Sequence, residues 1–152
     1  MSRTKKTNPF AYCDGLEKNA PFAMLTDKQA LSPTYQKLSD GAKHVLMICR
    51  LCRKYHKGTD KNGSSRSIHG NNLYFYFNRA IQKQYGLTNP NRVRAELIEL
   101  VSKGFLDVIE CNAHRRKKNV YAFCAKWQEL DRSGEITLSD GARTYIQGKG
   151  KG

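Results

Sequence analysis

The chain has 152 residues, 39% of them hydrophobic, enough for one domain with a core and too few for two. No apolar run approaches the roughly 18 residues of a membrane span, and the opening "MSRTKKTNPFAYCDG" lacks the apolar segment of a secretory signal. Five cysteines, without framework spacing, fit free thiols in a reducing cytoplasm, and a formal charge of +14 favours polyanions, nucleic acid before acidic membranes or proteins.

Residues 1–15 carry Arg3, Lys5 and Lys6 and are expected to form a basic N-terminal arm. Residues 16–37 hold scattered apolar anchors, Phe22, Met24, Leu25, Leu31 and Tyr35, with Pro33 interrupting. That pattern predicts an irregular or short-helical lead-in. "LSDGAKHVLMICRLCRKYHKG" then predicts a helix over 39–57, with Ser39 as N-cap, Asp40 in the first turn and Gly58 as the stop. Ala42, Val45, Ile48, Cys49, Cys52 and Tyr55 share its apolar face. Lys43, Arg50, Lys54 and Lys57 share the opposite face, with Arg53 beside it and no acidic partner. An ordinary solvated helix face mixes signs, so contact with phosphate competes here with plain solvation.

Residues 56–72 read as a long polar loop, and "LYFYF" (73–77) as a short strand packed into the core. Asn78 caps a helix through about Tyr85, with Ala80 and Ile81 inward and Gly86 as its left-handed stop. Asn89 and Pro90 open the next helix. Val93, Leu97, Leu100 and Val101 make its buried stripe and Gly104 ends it. Two helices separated by a few residues are a helix-turn-helix pattern. "FLDVIEC", the turn "NAHRRKKN" and "VYAFCAKW" predict a β-hairpin with a strongly basic tip. Beyond Trp127 the apolar density falls, and 131–152 is expected to be a flexible basic tail ending in "GKGKG". The folded domain is accordingly expected at 16–130, with its core at 38–127. "LSDGA" occurs at both 38–42 and 138–142, a good helix opening used twice.

The predicted order from Leu38 to Trp127 is helix, strand, helix, turn, helix, hairpin. It resembles the winged helix-turn-helix family, in particular the small winged-helix proteins of bacterial plasmids, phages and conjugative elements. The stretch "LTNPNRVRAELIELVSKGFLDVIE" is similar to a recognition helix running into a first wing strand. "YGLT" (85–88), "NVY" (119–121) and Trp127 match further recurring features. The likeness covers roughly 90 residues and implies a mainly α fold with a small β-sheet. It also implies sequence-specific binding of double-stranded DNA, as a transcriptional regulator or a replication-associated protein of a mobile element. It leaves a homodimer open.

By that resemblance the helix from Asn91 enters the major groove and the hairpin tip meets the minor groove or backbone. The helical wheel independently turns Asn91, Arg92, Ala95 and Glu99 outward, with Arg94 at the border. Thr88, Asn89, Asn91, Arg92, Arg94 and Ala95 are therefore the expected DNA-reading edge, Asn suited to adenine and Arg to guanine. His114, Arg115, Arg116, Lys117 and Lys118 would hold the wing on the backbone, and Lys43, Arg50 and Lys54 would add phosphate contacts. Glu96 and Glu99 cut against deep insertion. Glu99, read as outward, would repel phosphate unless it accepts from a cytosine or pairs with Lys103.

Other chemistry has weaker support. Cys49 and Cys52 form a C-x-x-C lying within an apolar face, where packing fits better than zinc. None of the four histidines shows paired ligand spacing. There is no G-x-x-x-x-G-K, H-E-x-x-H or G-x-S-x-G, so no catalytic residue, metal, cofactor or small-molecule substrate is expected. "HRRK" with Tyr145 imitates a tyrosine recombinase only faintly. An RNA-binding or ribosome-associated basic protein, or a protein-interaction module, are the rival functions.

Overall fold

Ser39 opens the helix that the pattern places there. Its hydroxyl accepts from the Ala42 N–H at 3.1 Å, and Asp40 lies in the first turn. In the computed structural model, which describes residues 23–52, 54–55, 73–112 and 119–148, this helix is α3, Asp40–Leu51. Two single-turn helices precede it, α1 (Asp27–Ala30) and α2 (Pro33–Gln36), capped by the hydroxyls of Thr26 and Ser32. Ala42, Val45, Ile48 and Cys49 are buried as the wheel requires, and Leu46 joins them. Met24 and Leu31, expected as anchors, are exposed.

The helix ends at Leu51 and does not continue to residue 57. The Cys52 N–H bonds the Ile48 and Cys49 carbonyls, each at 3.1 Å. Lys54 and Tyr55 then form β1, which pairs antiparallel with β2 (Leu73–Phe75), Lys54 opposite Tyr74 and Tyr55 opposite Leu73. A sheet partner for these backbone groups outweighs local helix propensity. The loop over 56–72 and the stop at Gly58 lie outside the described residues.

β4 (Val120–Phe123) lies between β2 and β3 (Leu106–Glu110), so the antiparallel order is β1-β2-β4-β3. Phe75 stands opposite Tyr121, and Val108 opposite Tyr121 on the other side. The β3–β4 ladder slips between Val108 and Glu110, a bulge that bends the hairpin as it leaves the core. Phe75 stacks on Phe123 at 4.8 Å, and Phe105 on Trp127 at 5.8 Å.

Between the strands stand α4 (Arg79–Gln84) and α5 (Pro90–Ser102), capped by the side chains of Asn78 and Asn89. Val93, Leu97, Leu100 and Val101 are buried as expected. In α4 Ile81 packs against the core as expected, but the buried residue is Gln82, and Ala80 is exposed. Gln82 Nε2 donates to the Phe77 carbonyl at 2.9 Å, satisfying an oxygen that leaves the sheet inside the core. Gly104 ends α5 at φ +81°, and a Cβ there would come within 2.7 Å of the Trp127 nitrogen.

The expected tail beyond residue 130 is folded to residue 148. α6 (Trp127–Ser133) spans the predicted boundary, and α7 (Asp140–Gln147) sends Ala142 and Tyr145 into the core. The low apolar density misled because two well-placed side chains are enough to seat a two-turn helix. Asp131 of α6 accepts from the Ser32 hydroxyl at 2.6 Å and from the Thr34 N–H and hydroxyl at 3.0 and 2.6 Å, tying α2 to α6. Desolvation pushes its carboxyl up, but these bonds outweigh that and hold it below the usual carboxylate range.

The repeated "LSDGA" has a physical account. Ser39 and Ser139 both cap their helices, accepting from Ala42 N and Ala142 N at 3.1 Å. Each serine hydroxyl also donates to a carboxylate from another element: Ser39 to Glu99 of α5 at 3.1 Å, Ser139 to Asp107 of β3 at 2.6 Å. The alanines are buried, and the glycines admit a close neighbour. A Cβ at 41 would overlap the Glu96 carboxylate, and one at 141 the Val108 carbonyl oxygen.

Those two glycines separate in their response to alanine. Glu96 is a flexible side chain and swings aside, while the Val108 carbonyl belongs to a paired strand. Gly41→Ala should change stability by less than about 1 kcal/mol, since strain is offset by helix propensity. Gly141→Ala should cost about 1–3 kcal/mol. Urea unfolding of both variants measures this, and equal effects would contradict it.

Candidate nucleic-acid interface

The start of α5 is set by two local rules. Asn89 accepts from the Arg92 N–H at 3.2 Å, and Pro90 fixes the first helical position. With the apolar stripe inward, Asn91, Arg92, Arg94 and Ala95 are exposed, together with Thr88 and Asn89 just before them. Arg92 Nε pairs with Glu96 Oε1 at 3.2 Å. Its side chain remains 74% exposed, whereas that of Glu96 is only 11% exposed. The pair contributes little energy at such exposure but orients the guanidinium.

Glu99 corrects the expectation of an outward acid. Its carboxylate accepts from both the Ser39 N–H (3.0 Å) and the Ser39 hydroxyl (3.1 Å), at the N-terminus of α3. The orphan N–H groups and positive end of a helix are a better environment for the carboxylate than Lys103 or open solvent. Both acids of α5 therefore turn toward α3, and the edge bearing Asn91 and Arg94 keeps none.

That edge borders a cleft of about 560 Å³. One wall is the start of α5, through Pro90, Asn91 and Arg94. Another is Asn78, Arg79 and Gln82 around α4; the base of the β3–β4 hairpin adds Asn112 and Asn119, and Tyr121 and Tyr145 lie behind. None of the described residues lining it is a carboxylate. Asn112 N donates to Asn119 Oδ1 at 2.6 Å, closing the base of the basic turn. His114, Arg115, Arg116, Lys117 and Lys118 lie outside the described residues, but both residues that bracket the turn face the same cleft as Asn91 and Arg94. The sequence reading missed Arg79, Asn112 and Asn119. The signal available for the last two was a pair of asparagines flanking a cation run.

The cations expected on α3 are placed differently. Arg50 donates to the Met24 carbonyl at 2.6 Å and to Gln29 Oε1, clamping α1 against α3. Lys43 is half-buried, its Nζ 5.5 Å from the Tyr35 ring centroid and 3.4 Å from the Gln36 carbonyl. Lys54 belongs to β1 and has left the helix face altogether. Two of these three residues thus have structural partners.

Behind the cleft, Tyr121 and Tyr145 meet edge to face at 5.9 Å, and their hydroxyls hydrogen-bond. Burial raises both above the ordinary tyrosine range. For Tyr121 the bonds from Asn119 and Tyr145 oppose the rise. For Tyr145 the Tyr121 charge and hydrogen bond add to it, and the Arg94 guanidinium opposes it. Tyr145 is thus a core residue beside Arg94, in an environment that disfavours the phenolate a nucleophile would need. Cys49 is buried, and burial, then the neighbouring Cys52, push its thiol up while Arg50 pulls it down. Such a thiol packs as an apolar group. Among the described residues, no three or more His, Cys, Asp or Glu side chains gather where a metal could bind, and no helix is long and apolar enough to cross a membrane.

Compared with protein-family models, curated proteins and solved structures, the chain finds no match in any of the three.

The tyrosine pair makes a pH prediction. Both pKa values are raised in the folded state, so the neutral pair's stabilisation is complete below the unfolded value of about 10 and lost as pH rises through the folded values. An ultraviolet titration of the folded chain should show tyrosine ionisation still incomplete well above the ordinary tyrosine range, and the un-ionised remainder should shrink in Tyr145→Phe. Tyr145→Phe should make the loss of stability above about pH 10 shallower. Complete tyrosine ionisation within the ordinary tyrosine range, with the fold intact, would refute the buried pair.

Proposed function

We propose that the chain is a winged helix-turn-helix protein that binds double-stranded DNA in a sequence-specific way, serving transcription or replication of a mobile genetic element in the cytoplasm. The fold-level support is the order β2-β4-β3 with α3 before it, α4 and α5 between β2 and β3, and a hairpin between β3 and β4. One observation carries the functional reading. The exposed first turn of α5 and both residues bracketing the basic turn line one cleft whose described lining holds no acid. Major-groove reading by a helix start and backbone contact by an adjacent hairpin require those two elements on one side of the molecule.

In this reading Asn91, Arg92 and Arg94 meet base edges, Ala95 permits close approach, and Thr88 and Asn89 approach the backbone. Arg115, Arg116, Lys117 and Lys118, with His114, hold the wing on phosphates. Glu99 carries no penalty because Ser39 already engages its carboxylate. Arg50 and Lys43 serve the packing of α1 and α2 first, so the phosphate contacts fall mainly to the wing. A homodimer on a palindromic site is compatible with this arrangement, and the sequence selected from a random duplex pool would show it.

Selection of bound sequences followed by salt titration tests the proposal. Arg94→Ala or Asn91→Ala should cost about 1–3 kcal/mol on the selected site and relax preference at one base pair. Replacing Arg115, Arg116, Lys117 and Lys118 with serine should weaken binding to all duplexes. It should also flatten the slope of log K against log salt by about 0.9 for each phosphate no longer neutralised. No enriched motif, equal affinity for structured RNA at matched salt, or an unchanged slope in the wing variant would overturn it.

A further inference from the structure

The cleft has features that duplex reading does not use. It extends past the α5 edge to Arg79 at the start of α4 and to the aromatic wall of Tyr121 and Tyr145. Among the described residues, no carboxylate lies within ion-pair distance of Arg79 or Arg94, while the described ion pairs, Arg92–Glu96 and Arg143–Asp140, are made within single helices. Two guanidinium groups without acidic partners, on adjacent elements of one concavity, suit a phosphate, which accepts their planar forks. The volume of about 560 Å³ is that of a small-molecule pocket rather than of a single inorganic ion. The exposed amide of Asn91 supplies a donor and an acceptor, and Asn78, whose Oδ1 already accepts from the Ile81 N–H, adds an amide donor, the pairing equipment a nucleobase edge requires.

We propose that this cleft binds a nucleoside phosphate, its phosphate on Arg79 and Arg94 and its base among the asparagine amides. The ligand arrives either as a free nucleotide or as a nucleotide turned out of a nucleic-acid strand. The site shares Asn91 and Arg94 with the proposed duplex-reading edge and adds Arg79 and the aromatic wall, which take no part in the groove contacts. A single-strand source carries the cost of unstacking one base, a few kcal/mol and least at a bulge.

Calorimetric titration of the full chain with adenosine and guanosine monophosphates tests the site, with adenosine and inorganic phosphate as separate probes. A monophosphate should bind at least about tenfold more tightly than either fragment, because both halves of the cleft are then occupied. Arg79→Ala should weaken that binding about tenfold while leaving the melting temperature of the free protein unchanged, and Arg79→Lys should fall between. No nucleotide binding, inorganic phosphate binding as tightly as a nucleotide, or full binding by Arg79→Ala would overturn the proposal. A duplex with one extrahelical adenine identifies the source. If the strand supplies the ligand, the bulged duplex binds more tightly than the paired one and Arg79→Ala abolishes the gain. If the ligand is free, that gain is absent while the titration stands. Paired-duplex binding by Arg79→Ala remains intact in either case, so a failure of this site and a failure of the duplex reading give different results.

Discussion

The carboxylate of Glu99 on the N-terminus of α3 is the contact on which the rest of the arrangement turns. It joins the two long helices at a point where α3 presents unsatisfied N–H groups and the positive end of its dipole. An exposed ion pair would fix nothing, because two long side chains lose as much entropy as they gain in attraction. Here one acceptor takes two donors from a single residue, and the helix behind it is already positioned by Ala42, Val45 and Leu46 in the core. With α5 rotated so that Glu96 and Glu99 face α3, its opposite edge is fixed as Asn91 and Arg94, while Arg92 stays on the side of Glu96, with which it pairs. The polarity of α5 is therefore a consequence of helix packing.

The same device recurs at the other end of the molecule. Ser139 donates to Asp107, and Asp107 also accepts from the Val108 N–H at 2.8 Å, so the strand's own backbone helps hold the carboxylate. This seats α7 on β3 and brings Tyr145 against Tyr121, closing the back of the cleft. Asp131 joins α2 to α6 through Ser32 and Thr34. The chain carries 13 carboxylates against 27 lysines and arginines, and these three that bridge elements each hold a helix start or a hydroxyl pair. Three of the carboxylates are thus engaged in joints between elements.

Local signals are legible in the sequence wherever a single residue type decides the geometry. Ser39, Asn78 and Asn89 cap the helices their positions predict, and Gly104 takes the positive φ that its place after α5 implies. The stripe Val93–Leu97–Leu100–Val101 is readable because a full helix length repeats it. The misreadings arise where a distant partner decides. Lys54 and Tyr55 continue a helical pattern, yet β2, arriving after a long intervening segment, claims their backbone. Composition points Ala80 inward, but Gln82 goes in because the Phe77 carbonyl needs a donor. The segment after Trp127 looks too polar to fold, and it folds because Gly141 and Ala142 permit contact closer than hydropathy can express. Of the candidate site, the α5 edge is legible from the wheel. The cleft is not, since its lining is gathered from positions 77 to 148 and no local run contains it.

The separation of charge also decides what the cleft can bind. A cationic surface repels itself, and at physiological salt charges separated by more than about 8 Å are largely screened, so the cost of leaving Arg79 and Arg94 without acids is modest. The gain appears only when an anion enters and water leaves, because the same charges then act across a lower dielectric. Had Glu96 or Glu99 faced the cleft, the arginines would already be paired, and a phosphate would have to displace a carboxylate to bind. Placing each α5 acid against α3 removes that competition without losing the acid's structural use. The helix joint and the acid-free cleft thus lie on opposite faces of one helix, and a substitution at Glu99 would disturb both: the Ser39 N–H and hydroxyl would lose their acceptor, and α5 would lose a contact that helps fix the direction in which Arg94 points.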